Sequence, residues 1–239
     1  MINGGRCLGI ILARGGSKRL PRKNLMMLSG KPLIQWTIEA GLTSNTVDTL
    51  IVSTDNYEIA EFSKTCGAEI PFMRPKDLAT DESPSYYSLE HAIHYMHQIG
   101  NFFDYMVLLQ PTSPLRTSMH IDEAAKLLQD KSADGVISIS EVGHPIQWCG
   151  AISESNEMSD FITQLTLNAR SQDFKKNYCL NGAIYLTKIN RMLKEKNHLY
   201  GKRMYGYIMS RLDSIDIDEQ DDFDLAELIL SKRFSTSME

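Results

Sequence analysis

Leu8-Gly9-Ile10-Ile11-Leu12-Ala13 runs straight into Arg14-Gly15-Gly16-Ser17-Lys18-Arg19-Leu20-Pro21-Arg22-Lys23-Asn24, and this junction decides the fold. The apolar run predicts a strand buried on both faces, the habit of a parallel sheet covered by helices. A basic, glycine-paired loop leaving its C-terminal end stands where open α/β sheets place their ligands. Outward from this junction, strand-length apolar runs alternate with segments of helical period. Residues 31–40 read as a helix with Pro32 in its first turn, 49–54 as a strand, 57–66 as a helix closed by Gly67, and 69–73 as a short strand before Arg74-Pro75. A helix over 85–98, a strand over 105–109, a helix over 118–130 and a strand over 135–140 follow, with the rigid turn Gln110-Pro111-Thr112-Ser113-Pro114 after the first strand of that series. The rhythm lapses over 141–178, which predicts an insertion. It returns with strands at 182–186 and 203–209, then Ile215-Asp216-Ile217-Asp218 opening a last helix over 220–231, and a frayed tail from Phe234. The alternation predicts one α/β domain over 1–239 with a largely parallel sheet.

With 239 residues, 42% of them hydrophobic, the chain can bury a core without disulfides or a structural metal. Its apolar runs fall far short of a membrane span, and its first residues lack the features of a secretory leader, so a soluble, cytoplasmic protein is expected. Cys7, Cys66, Cys149 and Cys179 are too scattered for a zinc site or a disulfide framework and are expected to be free, buried thiols. A net charge of −5 argues against a nucleic-acid coat and against a basic membrane-surface protein. The charge is uneven: Arg14, Lys18, Arg19, Arg22 and Lys23 crowd the first loop, whereas Asp213, Asp216, Asp218, Asp221, Asp222 and Asp224 crowd one stretch near the C-terminus.

The first loop suits a polyanion. Gly15 and Gly16 let backbone N–H groups approach phosphate oxygens, Ser17 adds a donor, and the arginines and lysines supply charge-assisted hydrogen bonds. It matches neither the ATPase P-loop nor the dinucleotide fingerprint, and a solvated basic loop is the plainer alternative. In Ile215-Asp216-Ile217-Asp218 a period of two sends both isoleucines to one face and both aspartates to the other. Two carboxylates on one face can hold Mg²⁺, with water and phosphate oxygens filling the remaining positions. Asp218 also suits the N-cap of the last helix, with Asp221 and Asp222 as first-turn charges. The double-proline turn from Gln110 to Arg116 can read a ligand or be a structural turn with Arg116 in a surface ion pair. Asn181-Gly182 before an apolar strand can be only a turn, which would point Asn181 into the same sheet-edge region. His91, His94 and His97 lie three apart on one helix without a carboxylate or cysteine partner and read as a solvated face. Serine and cysteine contexts lack a nucleophile signature, which disfavours covalent catalysis.

Taken in order, Ile11-Leu12-Ala13-Arg14-Gly15-Gly16-Ser17-Lys18-Arg19-Leu20-Pro21-Arg22-Lys23-Asn24, Arg74-Pro75 with Leu78-Ala79-Thr80-Asp81, Leu108 through Arg116, Gln172 with Asn181-Gly182-Ala183-Ile184-Tyr185, and Asp213 through Asp218 resemble the motifs of the acylneuraminate cytidylyltransferases, the CMP-sialic acid synthetases. That group includes CMP-legionaminic and CMP-pseudaminic acid synthetases. The resemblance spans nearly the whole chain, with Leu12 standing where the first motif commonly has proline.

The resemblance implies a Rossmann-like mixed, mostly parallel sheet of the nucleotide-diphospho-sugar transferase type, and a homodimer in which the 141–178 insertion helps cover the neighbouring sugar site. It implies the conversion of CTP and a nonulosonic acid to a CMP-sugar and pyrophosphate, dependent on Mg²⁺. It implies that Arg14, Gly15, Gly16, Ser17, Lys18, Lys23 and Asn24 handle the nucleotide and that Arg74 reads the cytosine. Gln110, Arg170, Gln172 and Tyr185 would face the sugar, and Asp216 and Asp218 would hold the metal. Arg14, Lys23 and Asp216 are the expected catalytic residues. A synthetase of CMP-3-deoxy-manno-octulosonate shares fold and reaction but typically lacks the Gly-Gly-Ser-Lys and Lys-Asn elements, and a CTP-binding sensor is the non-enzyme alternative.

Overall fold

The computed structural model describes residues 2–158, 169–199 and 201–236. Strand β1 (Cys7–Leu12) is followed by the basic loop, a 3₁₀ turn (Lys23–Leu25) and the small antiparallel pair β2 (Met27–Leu28) and β3 (Lys31–Pro32). Helix α1 (Leu33–Leu42) therefore begins two residues later than its periodicity suggests, because Pro32 serves as its N-cap residue instead of lying in its first turn. Next come β4 (Thr49–Ser53), α2 (Tyr57–Thr65), α3 (Ser85–Gln98), β5 (Tyr105–Leu108) and α4 (Ser118–Asp130). They are followed by β6 (Gly135–Glu141), β7 (Tyr178–Lys188), α5 (Ile189–Glu195), β8 (Met204–Met209) and α6 (Gln220–Thr236). The strand expected at 69–73 is reduced to a single parallel bridge between Ile51 and Glu69.

The main sheet has the order β4-β1-β5-β7-β6-β8. β1 is parallel to β4 and β5, and β6 is parallel to β8, but β7 runs antiparallel to both of its neighbours. Helices cover both faces. Strand alternation sends Ile11, Val52, Val107, Ile184 and Leu186 to one face, under Ile34 and Ile38 of α1 and Ile121 and Leu128 of α4. Leu8, Ile10, Met106, Leu108 and Tyr185 go to the other, under Leu89, Ile93 and Met96 of α3 and Met192 of α5. A third cluster joins Leu28, Leu33 and Ile217 to Phe223, Ala226 and Leu230 of α6, so the last helix docks beside the first loop.

Because β1, β4 and β5 are parallel, their C-terminal ends share one edge. The reversed β7 brings the opposite end of its own strand there, with Tyr185 paired to Leu108. The β6–β7 register then jumps, from Ile137 opposite Tyr185 to Ile139 opposite Leu180. The extra residues form a bulge around Asn181 and Gly182, where Gly182 has φ 76°. Ser138 closes the gap: its hydroxyl donates to Asn181 Oδ1 at 2.6 Å and accepts from the Ile184 N–H at 2.8 Å. Ser138→Ala removes both bonds, leaving Asn181 Oδ1 only the Ala183 N–H at 3.2 Å, and is expected to lower unfolding free energy by about 1–3 kcal/mol, read from the urea midpoint at unchanged slope.

Two local expectations change. Cys7 is buried and Cys66 partly so, but Cys149 and Cys179 are exposed, because both lie on or beside the 141–178 segment outside the sheet core. Arg116 is not in a surface ion pair. It is fully buried, with Nη2 donating to Thr37 Oγ1 at 2.7 Å, and burial without a counter-ion pushes its pKa down to about 9. Among the described residues no helix is long and apolar enough to cross a membrane. Of the 141–178 insertion, residues 159–168 lie outside the described residues, as do 237–239 of the expected tail. The last helix runs on through Phe234 to Thr236, not stopping at Ser231.

Candidate active site

A cleft of about 380 Å³ opens at the shared strand edge. Its lining includes Arg14, Ser17, Lys23 and Asn24 from the first loop, Gln110 and Thr112 from the double-proline turn, and Asp216 and Asp218 from the segment before α6. A second hollow of about 280 Å³ shares Arg14, Ser17, Lys23 and Asp218 with it and adds Lys18, Arg19 and Asp81. Residues far apart in the chain thus meet in a trough with cations on one wall and carboxylates on the other.

The loop is held by its own backbone contacts. Gly15 donates its N–H to Asp55 Oδ1 at 2.9 Å, and a Cβ there would come within 2.8 Å of Asn56 Nδ2, so only glycine fits without moving Asn56. Asn24 is buried and donates from Nδ2 to the Arg14 carbonyl at 3.1 Å, fixing the two ends of the loop against each other. Lys23 starts the 3₁₀ turn, and its ammonium is anchored by the Ile217 carbonyl at 2.6 Å and Asp218 Oδ1 at 3.2 Å. Arg19 reaches the other oxygen of Asp218 at 2.9 Å. Across the loop, Arg14 and Lys18 both pair with Asp81, Lys18 at 2.5 Å, and these two cations hold the Asp81 carboxyl below the usual carboxylate range.

The acidic wall keeps the alternation read from its sequence although it is not a strand: a 3₁₀ turn (Leu212–Ser214) precedes an extended stretch. Ile217 is buried against α6 while Asp216 and Asp218 face the cleft. Asp218 is not the N-cap of the last helix. Glu219 holds that position, and Asp222 in the first turn accepts from the Asp218 and Glu219 N–H groups at 3.0 and 2.9 Å, while the Asp218 side chain turns to the cations. Asp216 is open to solvent where it faces the cleft, yet the protein packed around it pushes its pKa above the ordinary carboxylate value; Asp218 and Asp222 add to the shift, and a Thr112 hydrogen bond and Lys23 oppose it.

The β7 bulge sets the depth of the site. Asn181 does not face the cleft; it is buried and donates to Ser214 Oγ at 2.9 Å, tying β7 to the acidic segment. Gly182 lies against Gln110, and a Cβ there would collide with Gln110 Oε1 and stand 3.4 Å from Asp216 Oδ2. Gly182→Ala therefore meets both a positive φ and a clash. It is expected to cost on the order of 1 kcal/mol in stability and to displace Gln110 within the cleft, measured by thermal melts.

Not every expected residue reaches the cleft. Arg74 lies behind the wall: it is buried, donates its N–H to the Thr54 carbonyl at 2.7 Å and Nη1 to Ser88 Oγ at 3.4 Å, while Nε and Nη2 have no partner among the described residues. Tyr185 is buried beneath the cleft floor, its ring 5.9 Å from that of His198. Arg170 and Gln172 are exposed on the insertion, where Arg170 pairs with Asp173 and Gln172 lines a separate hollow with His144 and Lys175. The helix histidines are not one solvated stripe: His94 is exposed, but His91 packs edge-on against Phe72 at 4.7 Å. Among the described residues no group of three His, Cys, Asp or Glu side chains could hold a metal.

Sequence reasoning missed Asp55, Asp81, Thr112 as a side chain, and His198. Asp81 had a signal in its place within the Leu78-Ala79-Thr80-Asp81 motif; His198 had none, since it follows α5 in an irregular segment. Burial, with Arg191 nearby, pushes the His198 imidazole down to about 4. The unfolded chain takes that proton near pH 6.5 and the folded one does not, so stability is full above that pH and declines as pH falls toward 4. The expected loss is on the order of 3 kcal/mol, and His198→Phe should flatten that part of an unfolding-versus-pH curve.

The sequence pattern of the family described as "Cytidylyltransferase" matches residues 8–233. An N-acylneuraminate cytidylyltransferase of Escherichia coli is 36% identical over 95% of this chain and 53% of its own length. A CMP-N,N'-diacetyllegionaminic acid synthase of Legionella pneumophila is 34% identical over 94% of this chain and 96% of its own. A pseudaminic acid cytidylyltransferase of Campylobacter jejuni is 32% identical over 93% and 95%. The chain thus spans about half the length of the Escherichia coli relative and nearly all of the other two. In fold it is similar, at TM-score 0.69 and 15% identity, to a CMP:2-keto-3-deoxy-manno-octonic acid synthetase complexed with CTP, covering 95% of this chain and 99% of that one.

Proposed function

Since the chain belongs to the cytidylyltransferase family, we propose that it activates a nonulosonic acid of the N-acylneuraminate type, converting CTP and the sugar to CMP-sugar and pyrophosphate. The observation that carries this reading is the single cleft in which Arg14, Ser17, Lys23 and Asn24 face Asp216 and Asp218. Relatives of similar length act, by their names, on legionaminic and pseudaminic acids, and these are the nearest alternative substrates. The 3-deoxy-manno-octulosonate alternative has only a fold likeness behind it.

Both reactants are anions, so the site must offset phosphate charge and align the sugar with the phosphorus. Arg14 and Lys18 would release Asp81 and turn to the phosphate oxygens, with Ser17 and the Gly15-Gly16 backbone as further donors. Lys23, already fixed by Ile217 and Asp218, stands between the basic loop and the acidic wall, where charge builds as pyrophosphate leaves. Gln110 orients the sugar from the opposite side of the cleft.

The residues also fit a divalent cation. Asp216 carries a negative charge that the surrounding protein and its acidic neighbours make costly, which a bound cation would offset. Two carboxylate oxygen donors beside a phosphate cleft are the set Mg²⁺ uses, the rest of its shell coming from water and substrate. Asp216 and Asp218 would hold it, and when bound it supplies Lewis-acid polarisation of the phosphates and stabilisation of the leaving group. Arg170 and Gln172 would reach the cleft of a second subunit in a homodimer, since they do not reach that of their own chain. The protein would work in the cytoplasm, where CTP is made.

The route is tested by ¹⁸O in the anomeric hydroxyl of the sugar. Attack by that oxygen on the α-phosphorus leaves the label in the bridging phosphoester of the product, seen by mass spectrometry. Loss of the label would contradict the assignment of nucleophile, and a CTP-binding sensor would give no product at all.

A further inference from the structure

We propose that His198 is a positioning residue of the nucleotide site: its imidazole Nε2–H donates to Ser85 Oγ, and this turns the Ser85 hydroxyl hydrogen into the cleft, where it donates to an oxygen of the bound nucleoside. The inference rests on the cytidine reading of that cleft. Ser85 is the first residue of α3 and lines the cleft with Leu12 and Arg14. One turn on, Ser88 Oγ accepts from Arg74 Nη1 at 3.4 Å and donates to the Leu78 carbonyl at 3.0 Å, so Ser85 lies on the Arg74 side.

Behind Ser85, 113 residues later in the chain, sits His198, only 7% exposed, with Nε2 3.4 Å from Ser85 Oγ. Its ring packs edge-on against Tyr185, which fixes the ring plane. Nδ1 has no partner among the described residues. Arg191 contributes its positive charge nearby, and with burial it keeps the ring neutral, so the imidazole carries one hydrogen. On Nδ1 that hydrogen would be a buried donor without an acceptor; on Nε2 it finds Ser85 Oγ. The neutral tautomer is therefore Nε2–H. A serine oxygen that accepts this hydrogen bond keeps its own hydrogen to give, and the open direction from Ser85 is the cleft. His198 thus fixes the polarity of a hydroxyl that would otherwise rotate between donor and acceptor roles.

The test is a double-mutant cycle on CTP binding by calorimetry, with KM values for CTP and sugar alongside. His198→Phe keeps the ring against Tyr185 and removes the donor. It should weaken CTP binding about tenfold, the equivalent of one oriented hydrogen bond, and leave the sugar KM within about twofold. His198→Gln, which retains an N–H donor, should recover most of the loss. In a Ser85→Ala background, His198→Phe should add almost nothing, because the hydroxyl it orients is gone. An equal loss in both backgrounds would make His198 merely structural and overturn the proposal. ¹⁵N spectra of the wild-type protein provide an independent test even if His198→Phe fails to fold: one neutral Nε2–H tautomer between about pH 6 and 8 is expected, and an Nδ1–H tautomer would refute it. Wild-type protein that does not bind CTP at all would overturn the nucleotide reading itself, a failure distinct from an uncoupled cycle.

Discussion

Lys23→Ala folds and binds CTP but turns over about 10²–10³ times more slowly, the loss expected when a preorganised cation facing developing phosphate charge is removed. The side chain is only 12% exposed, so its charge acts through protein more than through water. Its ammonium is held by the Ile217 carbonyl and Asp218 before any ligand arrives, and little reorganisation remains to be done during reaction. Arg19 still pairs with Asp218 in the variant, so the acidic wall keeps a counter-ion and the fold should survive. The checks are steady-state kinetics in both substrates and a circular-dichroism melt. Turnover within about fivefold of wild type would remove Lys23 from the chemistry.

Asp216→Asn has a different signature. The amide preserves shape beside Gly182 and Gln110 but withdraws the charge that makes the wall a cation site. Turnover should fall by about 10², and the Mg²⁺ concentration needed for half-maximal rate should rise. Stability should hold or increase, because the native site already disfavours the ionised form of this carboxyl. Asp218→Asn should resemble it in metal dependence and differ in stability, since Asp218 carries the Lys23 and Arg19 pairs. An Asp216→Asn enzyme with unchanged magnesium response would show that the carboxylate serves the fold and not the ion.

These expectations rest on a site whose parts were unequally visible in the sequence. The buried strand before the basic loop, the helices over 85–98 and 118–130, and the two-residue alternation of Ile215 through Asp218 are local patterns, and each survives in the structure. What local pattern does not encode is who meets whom across the chain. Asp218 carries a helix-cap signature, yet Glu219 stands at the N-cap and the Asp218 side chain pairs with Lys23 and Arg19 of the first loop. Asn181 sits next to a glycine in a turn-like pair and looks like a cleft residue, but the β6–β7 register jump folds it inward onto Ser138. Arg116 lies in a polar, proline-fixed turn and reads as surface, yet the turn packs under α1 and buries it. His198 owes its place to Ser85 and Tyr185, contacts that no spacing in its own segment foretells.

The insertion marks the same limit from another side. Its aperiodic sequence predicts no regular element, and its first and last residues, Glu141 and Tyr178, pair in the sheet, while Arg170 and Gln172 lie away from the cleft of their own chain. Exposed Tyr178 and Leu180 at the start of β7 and Ile208 on the edge strand β8 offer apolar surface beside it, consistent with the proposed second subunit.

Cytidylyl transfer to a nonulosonic acid in this cleft is open to a simple assay: Mg²⁺-dependent pyrophosphate release from CTP, with N-acetylneuraminate, legionaminate, pseudaminate and 3-deoxy-manno-octulosonate offered separately beside a control without sugar. Fast release with a nonulosonic acid and none in the control is the expected result. Tight CTP binding with no release for any of the sugars would refute the proposed transfer and leave a nucleotide site without this reaction.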